Sequence, residues 1–204
     1  MVSRYMILLR VGLIFVLGAS LVGCASTVGR DFERPHPKTL ELGTTNYQQI
    51  IQRLGEPHTK GQSLHNGKGV ESITYTFSDA GATSPDKIVP NRTLSFHFYE
   101  NLLVGYNFLS SFPQDKTDFD ESKVSVITKD QSTVDQVVAL LGEPSGKMSW
   151  PITKNNEEFG VLYTYVQVRQ VSFAKLNVYH KLLTVNHNKS GLVTNVEFAA
   201  QGEK

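Results

Sequence analysis

Two short stretches of the chain carry apolar side chains at helical spacing. In each stretch these residues fall at positions i, i+3, i+4 and i+7, which places them on one face of an α-helix. The first set is Tyr47, Ile50, Ile51 and Leu54, and the second is Val134, Val137, Val138 and Leu141. Thr45 and Ser132 are predicted as the N-caps, and Gly55 and Gly142 are predicted to end the helices. The pattern therefore predicts two short amphipathic helices.

After each helix, apolar and polar residues alternate, which is the pattern of a strand with one buried face. The predicted strands cover residues 70–78, 92–99, 102–109, 161–165, 176–187 and 192–200. Turns at 100–101 and 188–191 join neighbouring strands into predicted hairpins. The glycine-rich segment 61–69 is predicted as a flexible loop.

Each predicted helix ends in the same four residues. Leu-Gly-Glu-Pro occurs at 54–57 and at 141–144, which are 87 positions apart, and this self-similarity indicates a duplicated unit. The sequence therefore predicts an α+β fold of two tandem helix-plus-antiparallel-meander modules, with the helices packed on one face of the sheet. The predicted divisions are a signal peptide (1–23), a tether (24–39), module 1 (40–112), a linker (113–124) and module 2 (125–204).

The order of these elements resembles a known family. Gly43-Thr44-Thr45, a short amphipathic helix, the Leu-Gly-Glu-Pro ending and three antiparallel strands are similar to the SmpA/OmlA domain of BamE-like lipoproteins. The resemblance covers residues 40–112 and 125–200, and it implies a role beside the outer-membrane β-barrel assembly machinery. The tandem arrangement is similar to the fold of the β-lactamase inhibitory protein, which implies an inhibitor or binding module.

The N-terminal segment has the order of an export signal. Arg4 and Arg10 precede a short apolar run, and small residues connect that run to Cys24, the only cysteine. The run is shorter than the ~20 residues of a membrane-spanning helix. The Leu-Val-Gly-Cys motif at 21–24 resembles a bacterial lipobox, which implies cleavage before Cys24 and diacylglyceryl and N-acyl (palmitate-type) groups on that cysteine. An ordinary signal peptide with a chance cysteine is the alternative. Ala25, by the same resemblance, implies sorting to the outer membrane, with the protein on its periplasmic face.

Composition narrows the range of partners. Removal of residues 1–23 leaves 181 residues with a formal net charge of −1. Nucleic acid and anionic headgroups are therefore poor electrostatic partners. Once Cys24 is acylated no thiol remains for a disulfide, so core packing must hold the fold.

Recognisable catalytic motifs are missing from the sequence. No two of the six histidines have the i, i+4 spacing of a zinc protease. The Gly61–Gly69 segment departs from a phosphate-binding loop in its glycine spacing and in lacking Ser or Thr after its lysine. The acidic stretch 113–122 is predicted as a solvated link without calcium-site spacing. The sequence therefore predicts a protein that is not an enzyme and that needs no cofactor or metal beyond its covalent acyl groups.

The remaining candidate chemistry lies on the predicted sheet. Its face away from the helices is rich in Thr, Tyr and His, with the tryptophan nearby, and such side chains suit protein contacts. The candidate partner-binding residues are Thr74, Thr76, His97, Tyr99, Trp150 and Thr164, with Gln167 as a further position. His97 is predicted to be solvent-exposed. The alternative is that this face is the ordinary solvated side of an antiparallel sheet.

These observations predict a non-enzymatic outer-membrane lipoprotein that faces the periplasm and acts through protein–protein contacts. Its predicted task is envelope assembly or integrity, with envelope proteins, including β-barrel assembly components, as partners. The alternative is an inhibitor or binding module for a soluble envelope enzyme.

Overall fold

The computed structural model describes residues 27–82, 86–172 and 175–203. Cys24 and the predicted signal peptide lie outside these residues. The described part contains one antiparallel sheet of nine strands. The strands are β1 (Thr27–Gly29), β2 (Thr59–His65), β3 (Lys68–Asp79), β4 (Asn91–Tyr99), β5 (Leu102–Ser110), β6 (Gly146–Ser149), β7 (Glu158–Ser172), β8 (Lys175–Asn188) and β9 (Val193–Gln201). From β3 to β9 the strands follow chain order across the sheet, and β1 and β2 both pair with the free edge of β3.

Two eight-residue helices accompany the sheet, α1 (Tyr47–Leu54) and α2 (Val134–Leu141). Each begins with a complete capping box, but one residue later than predicted, because Asn46 and Thr133 rather than Thr45 and Ser132 accept from the backbone of the third helical residue. Gly55 and Gly142 follow the helices with positive φ angles of 76° and 87°, as their position predicts. Short 3₁₀ turns cover Pro37–Thr39, Ala80–Ala82, Pro113–Asp115 and Glu121–Val126.

The predicted fold class is wrong, because the chain does not divide its sheet between two modules. β5 and β6 pair directly, with Gly105, Tyr106 and Asn107 opposite Met148, Lys147 and Gly146. Backbone hydrogen bonding therefore runs without a break from the first half of the chain into the second. A predominantly β structure with one continuous antiparallel sheet replaces the predicted α+β pair of helix-plus-meander units.

The buried apolar residues form two clusters, one in each half of the sheet. The first surrounds Ile50 with residues of β3, β4 and β5, and the second surrounds Val137 with residues of β7, β8 and β9. Phe96, Phe98 and Phe108 are the largest fully buried side chains of the first cluster. Burial of a Leu, Val or Phe side chain contributes ~1.5–3 kcal/mol, so these clusters supply the main stabilisation.

In each half of the sheet, a buried cationic side chain binds an aspartate of the acidic segment 113–122. Arg92 on β4 donates from Nε to Asp115 Oδ2 at 2.7 Å and from Nη1 to Asp31 Oδ1 at 2.6 Å. Lys181 on β8 lies 2.7 Å from Asp118 Oδ1 and donates to the backbone carbonyl of Phe119. The stretch predicted as a solvated link is thus tied to the sheet through Asp115 and Asp118.

Within the described residues, no helix is both long and apolar enough to cross a bilayer.

Candidate functional site

The two helices and the two core clusters lie on one face of the sheet. We refer to the opposite face as the open sheet face. On β4 every second residue, from Arg92 to Phe98, is buried on the helix side of the sheet, while Thr93, Ser95 and His97 alternate with them and are half-buried. Directly opposed residues of antiparallel strands share a face. The registers therefore extend the open sheet face through Thr74 on β3 and Asn107 on β5 to Thr164 on β7 and Leu182 on β8.

A polar network crosses the junction between the two halves on the open sheet face. Thr164 Oγ1 donates to Asn107 Oδ1 at 3.1 Å, and Ser145 Oγ donates to the same oxygen at 3.0 Å. The backbone N–H of Thr164 donates to Ser145 Oγ at 2.9 Å. Thr164 therefore contributes to joining the halves as well as lining the face. The sequence prediction missed Asn107 and Ser145, because the pairing of β5 with β6 has no hydrophobic pattern.

His97 does not lie exposed as predicted. It stands opposite Ser72 on β3 and Gly105 on β5, and its Nδ1 is a buried atom without a hydrogen-bond partner among the described residues. Burial lowers the pKa of the His97 imidazole, and the nearby His65 lowers it further. His97 is thus a neutral side chain set into the open sheet face.

An aromatic corner, which we call the Trp150 corner, is formed by Lys68, Tyr99 and Trp150. The rings of Tyr99 and Trp150 meet edge to face at a centroid distance of 5.3 Å, and Lys68 Nζ lies 5.8 Å from the Trp150 ring centroid. Asn66, at the turn between β2 and β3, holds the loop after Trp150 by donating from Nδ2 to the carbonyls of Pro151 (3.0 Å) and Thr153 (2.7 Å). A hydrogen bond to Glu100 raises the pKa of the Tyr99 phenol.

A polar cavity of about 560 Å³ lies next to the loop after Trp150. Glu158 forms part of its wall, accepting from Thr194 Oγ1 at 3.0 Å and from the Lys154 N–H at 3.1 Å. Asn195 donates to Glu197 at 2.8 Å on the same wall. Lys129 and Lys154 balance the two carboxylates, so the cavity offers donors and acceptors without a strong net charge.

The structure brings together some of the predicted binding residues and separates others. His97, Tyr99 and Trp150 lie at one end of the open sheet face, where β4 ends. Thr74, Thr76 and Thr164 share the face but lie in other parts of it; Thr74 Oγ1 pairs with Ser95 Oγ at 3.0 Å. Gln167 was wrongly placed on this face. It is buried on the opposite side, where Tyr165 donates to its amide oxygen at 3.2 Å. The described residues contain no group of three or more His, Cys, Asp or Glu side chains arranged to hold a metal ion.

Comparison with known proteins identifies no family. No family model and no curated protein matches the chain. Among solved structures, the chain is similar to a Streptococcus mutans protein provisionally named a beta-lactamase inhibitor protein, with 14% sequence identity and a TM-score of 0.44. The match covers 79% of this chain and 91% of the other. Similarity at this level transfers neither a family nor a function.

Proposed function

We propose that the protein is a non-enzymatic, lipid-anchored binding protein of the bacterial outer membrane that docks a folded protein of the periplasm on its open sheet face. The anchor rests on the Leu-Val-Gly-Cys motif and on acylation of Cys24. The docking surface rests on the Trp150 corner, which is the single observation that carries the proposal. Tyr and Trp side chains give large contact area at low entropic cost and dominate binding energy in protein interfaces.

The geometry of the corner suits a docking contact. Trp150 and Tyr99 are half-buried, so each ring packs against the protein on one side and leaves its other side accessible to a partner. The hydrogen bonds of Asn66 hold the Trp150 loop in place before a partner arrives, and such pre-organisation reduces the entropy lost on binding. The polar cavity beside it offers hydrogen bonds at the rim.

Between the two forms of this function, the structure favours an inhibitor or binding module for a soluble envelope enzyme. The resemblance to the outer-membrane assembly lipoproteins was to a single helix-and-strands unit. Here both halves share one continuous sheet, whose open sheet face offers an extended surface of the kind that a binding module uses. A task in β-barrel assembly or envelope integrity is the second candidate, supported by the repeated Leu-Gly-Glu-Pro helix endings.

Site-specific photocross-linking in the living bacterium tests the proposal. A photoreactive residue replaces Lys68 in the Trp150 corner, and a matched control replaces Gln48, an exposed residue of α1 on the other side of the molecule. We expect a discrete adduct from position 68 and none from position 48. Equal adducts from both positions, or none from position 68, would contradict docking at the corner.

The identity of the adduct then separates the two forms of the function. A soluble enzyme whose activity falls on addition of the purified protein supports the inhibitor form, and an assembly component supports the second candidate. With the captured partner in hand, Trp150→Ala is expected to weaken binding at least about tenfold, because truncating a central aromatic anchor costs ~2 kcal/mol or more. Gln48→Ala is the matched control and should leave the dissociation constant unchanged.

A further inference from the structure

The outer ends of β7 and β8 form an apolar projection from the sheet. β7 spans fifteen residues and β8 fourteen, whereas β9 pairs with β8 only from His180 onward. On its other side, within the described residues, β7 pairs with the short β6 and with segment 87–89, through the bridge from Ile88 to Arg169 and two backbone hydrogen bonds. Both strands therefore extend past their neighbours.

Several apolar side chains are exposed on this projection. Val171 is 41% exposed, Leu176 58% and Val178 48%, and Leu182 below them is 37% exposed. Leu176, Val178 and Leu182 alternate with Tyr179 and Lys181, which are buried on the helix side, so these three residues stand on the open sheet face. We call Val171, Leu176 and Val178 the apolar projection. A cluster of exposed aliphatic side chains at one point of a surface usually marks a contact site.

The chain enters the fold at the same end of the sheet. β1 begins at Thr27, which pairs with Asp79 at the end of β3. Because all neighbouring strands are antiparallel, the end of β3, the end of β7 and the beginning of β8 share one side of the sheet. A backbone bond from the Val89 N–H to the Val168 carbonyl (2.8 Å) connects the β3–β4 loop to β7 at that side.

Chain length limits how far the anchor lies from this side. Thr27 is three positions after Cys24, and an extended chain spans at most ~3.3–3.6 Å per step, or about 10 Å in total. Acyl chains on Cys24 would therefore hold this side of the sheet close to the bilayer surface.

We propose that the apolar projection rests in the lipid surface as a second, non-covalent membrane contact. The inference depends on the proposed acylation of Cys24, which places the bilayer at this side of the sheet. Aliphatic side chains at the boundary between headgroups and acyl chains are removed from water, and this burial of apolar surface is favourable. The partner is lipid in general rather than an anionic headgroup, because Lys87 and Lys175 at this side are balanced by Asp79 and Asp86.

This contact would fix the orientation of the protein. With Cys24 and the apolar projection both on the membrane at one side of the sheet, the strands point away from the bilayer surface rather than lying parallel to it. Val178 pairs with Val168, and Ser149, just before Trp150, pairs with Phe159. At ~3.3 Å per strand residue, the nine residues from Val168 to Phe159 place the Trp150 corner about 30 Å from the projection. The docking surface then faces the periplasm.

Depth-dependent fluorescence quenching tests the contact. The mature lipidated protein is reconstituted into phosphatidylcholine vesicles with and without lipids that carry a shallow nitroxide. A thiol-reactive environment-sensitive dye is attached to Val178→Cys or Leu176→Cys, with Lys189→Cys, in the turn after the far end of β8, as the control. Because Cys24 is the only native cysteine, the acylated protein carries no other free thiol.

We expect about a twofold loss of fluorescence at positions 176 and 178, since interfacial side chains insert ~5–10 Å below the headgroup level. The loss should persist in high salt and should not depend on added phosphatidylglycerol. Position 189 should show no quenching. An absence of quenching at both 176 and 178 in vesicle-bound protein overturns the projection contact while the anchor stands. Dye uptake by the chain without an introduced cysteine shows instead that Cys24 is not acylated, and then the proposed anchor itself is wrong.

Discussion

Arg92 shows how much of this fold depends on one buried charge. Its side chain is 9% exposed, and it binds Asp115, also 9% exposed, through two of its nitrogens, at 2.7 and 3.2 Å. The same guanidinium lies 4.2 Å from the Phe112 ring centroid. Removing one member of a buried pair leaves the other without compensation, which costs ~3–5 kcal/mol.

We therefore expect Asp115→Ala to lower the free energy of unfolding by about 3 kcal/mol or more. Asp31 contacts the same arginine at 2.6 Å but is 55% exposed, so Asp31→Ala should cost no more than about 1 kcal/mol. Urea unfolding of both variants measures the difference. Equal losses at the two positions would show that burial does not determine the strength of this pair.

His97 predicts a pH dependence of stability. Its folded-state pKa is lowered by burial from 6.5, so the unfolded chain binds a proton more readily than the folded chain. Stability is therefore fully present above the unfolded pKa and is lost as pH falls below it. Between pH 7.5 and pH 5, His97→Gln should lose less stability than the unmodified chain, as measured by urea unfolding at both values. Identical pH profiles for the two proteins would rule out His97 as the group responsible.

At the scale of elements, β6 holds the two halves of the sheet together with only four residues. A Cβ added to Gly146 would lie 2.2 Å from the Tyr106 carbonyl oxygen, so the β5–β6 pair would have to separate. Gly69 on β3 has no atom within 4 Å of the same position and no positive φ. Gly146→Ala is expected to cost about 1–3 kcal/mol or more, as overpacking does, and Gly69→Ala should change stability by less than about 0.5 kcal/mol. Thermal unfolding compares them, and equal stability of the two variants would show that the close approach at Gly146 is not needed.

Strands that bury one face were predictable from sequence, and strands that serve only as pairing partners were not. The alternation over 92–99 predicted β4, which spans Asn91–Tyr99. Gly-Lys-Met-Ser in β6 has no alternation, and the exposed β2 lies across a segment predicted as a loop. Because β6 was missed, the single sheet was missed and the fold class was wrong.

The residues of the candidate site also differ in how far the sequence could predict their positions. Thr74 and Thr164 follow from strand alternation, since a register with one buried face determines the other. Tyr99 and Trp150 were both candidate residues, but their contact could not be predicted, because Trp150 lies after a strand that has no pattern. It reaches Tyr99 only through the β5–β6 pair and is held there by Asn66, a turn residue more than eighty positions earlier in the chain.

For the molecule as a whole, contacts between the halves extend beyond β5 and β6. Arg34 near the N-terminal side donates from Nη2 to the Pro144 carbonyl at 2.6 Å, and the β3–β4 loop bonds to β7 through Val89 and Gln170. The two core clusters are therefore joined in three ways. These are the β5–β6 strand pair, the hydrogen bond from Arg34 to the Pro144 carbonyl, and the hydrogen bonds between the β3–β4 loop and β7. Opening one half would expose the edge of the other, which favours unfolding as one cooperative unit.

We therefore expect calorimetry of residues 24–204, which number 181, to show one transition, with the calorimetric and van't Hoff enthalpies equal. At ~0.7 kcal/mol per residue near 60 °C, that enthalpy should be about 120 kcal/mol, whereas independent halves would give two transitions of about half that size. Trp150 fluorescence, which reports the junction, should change together with the far-ultraviolet circular dichroism. Two resolved transitions, with Trp150 following only the first, would show that the halves unfold separately despite sharing a sheet. Gly146→Ala is the comparison variant, because it weakens the β5–β6 pair. We expect the single transition to move to lower temperature before any division into two transitions occurs.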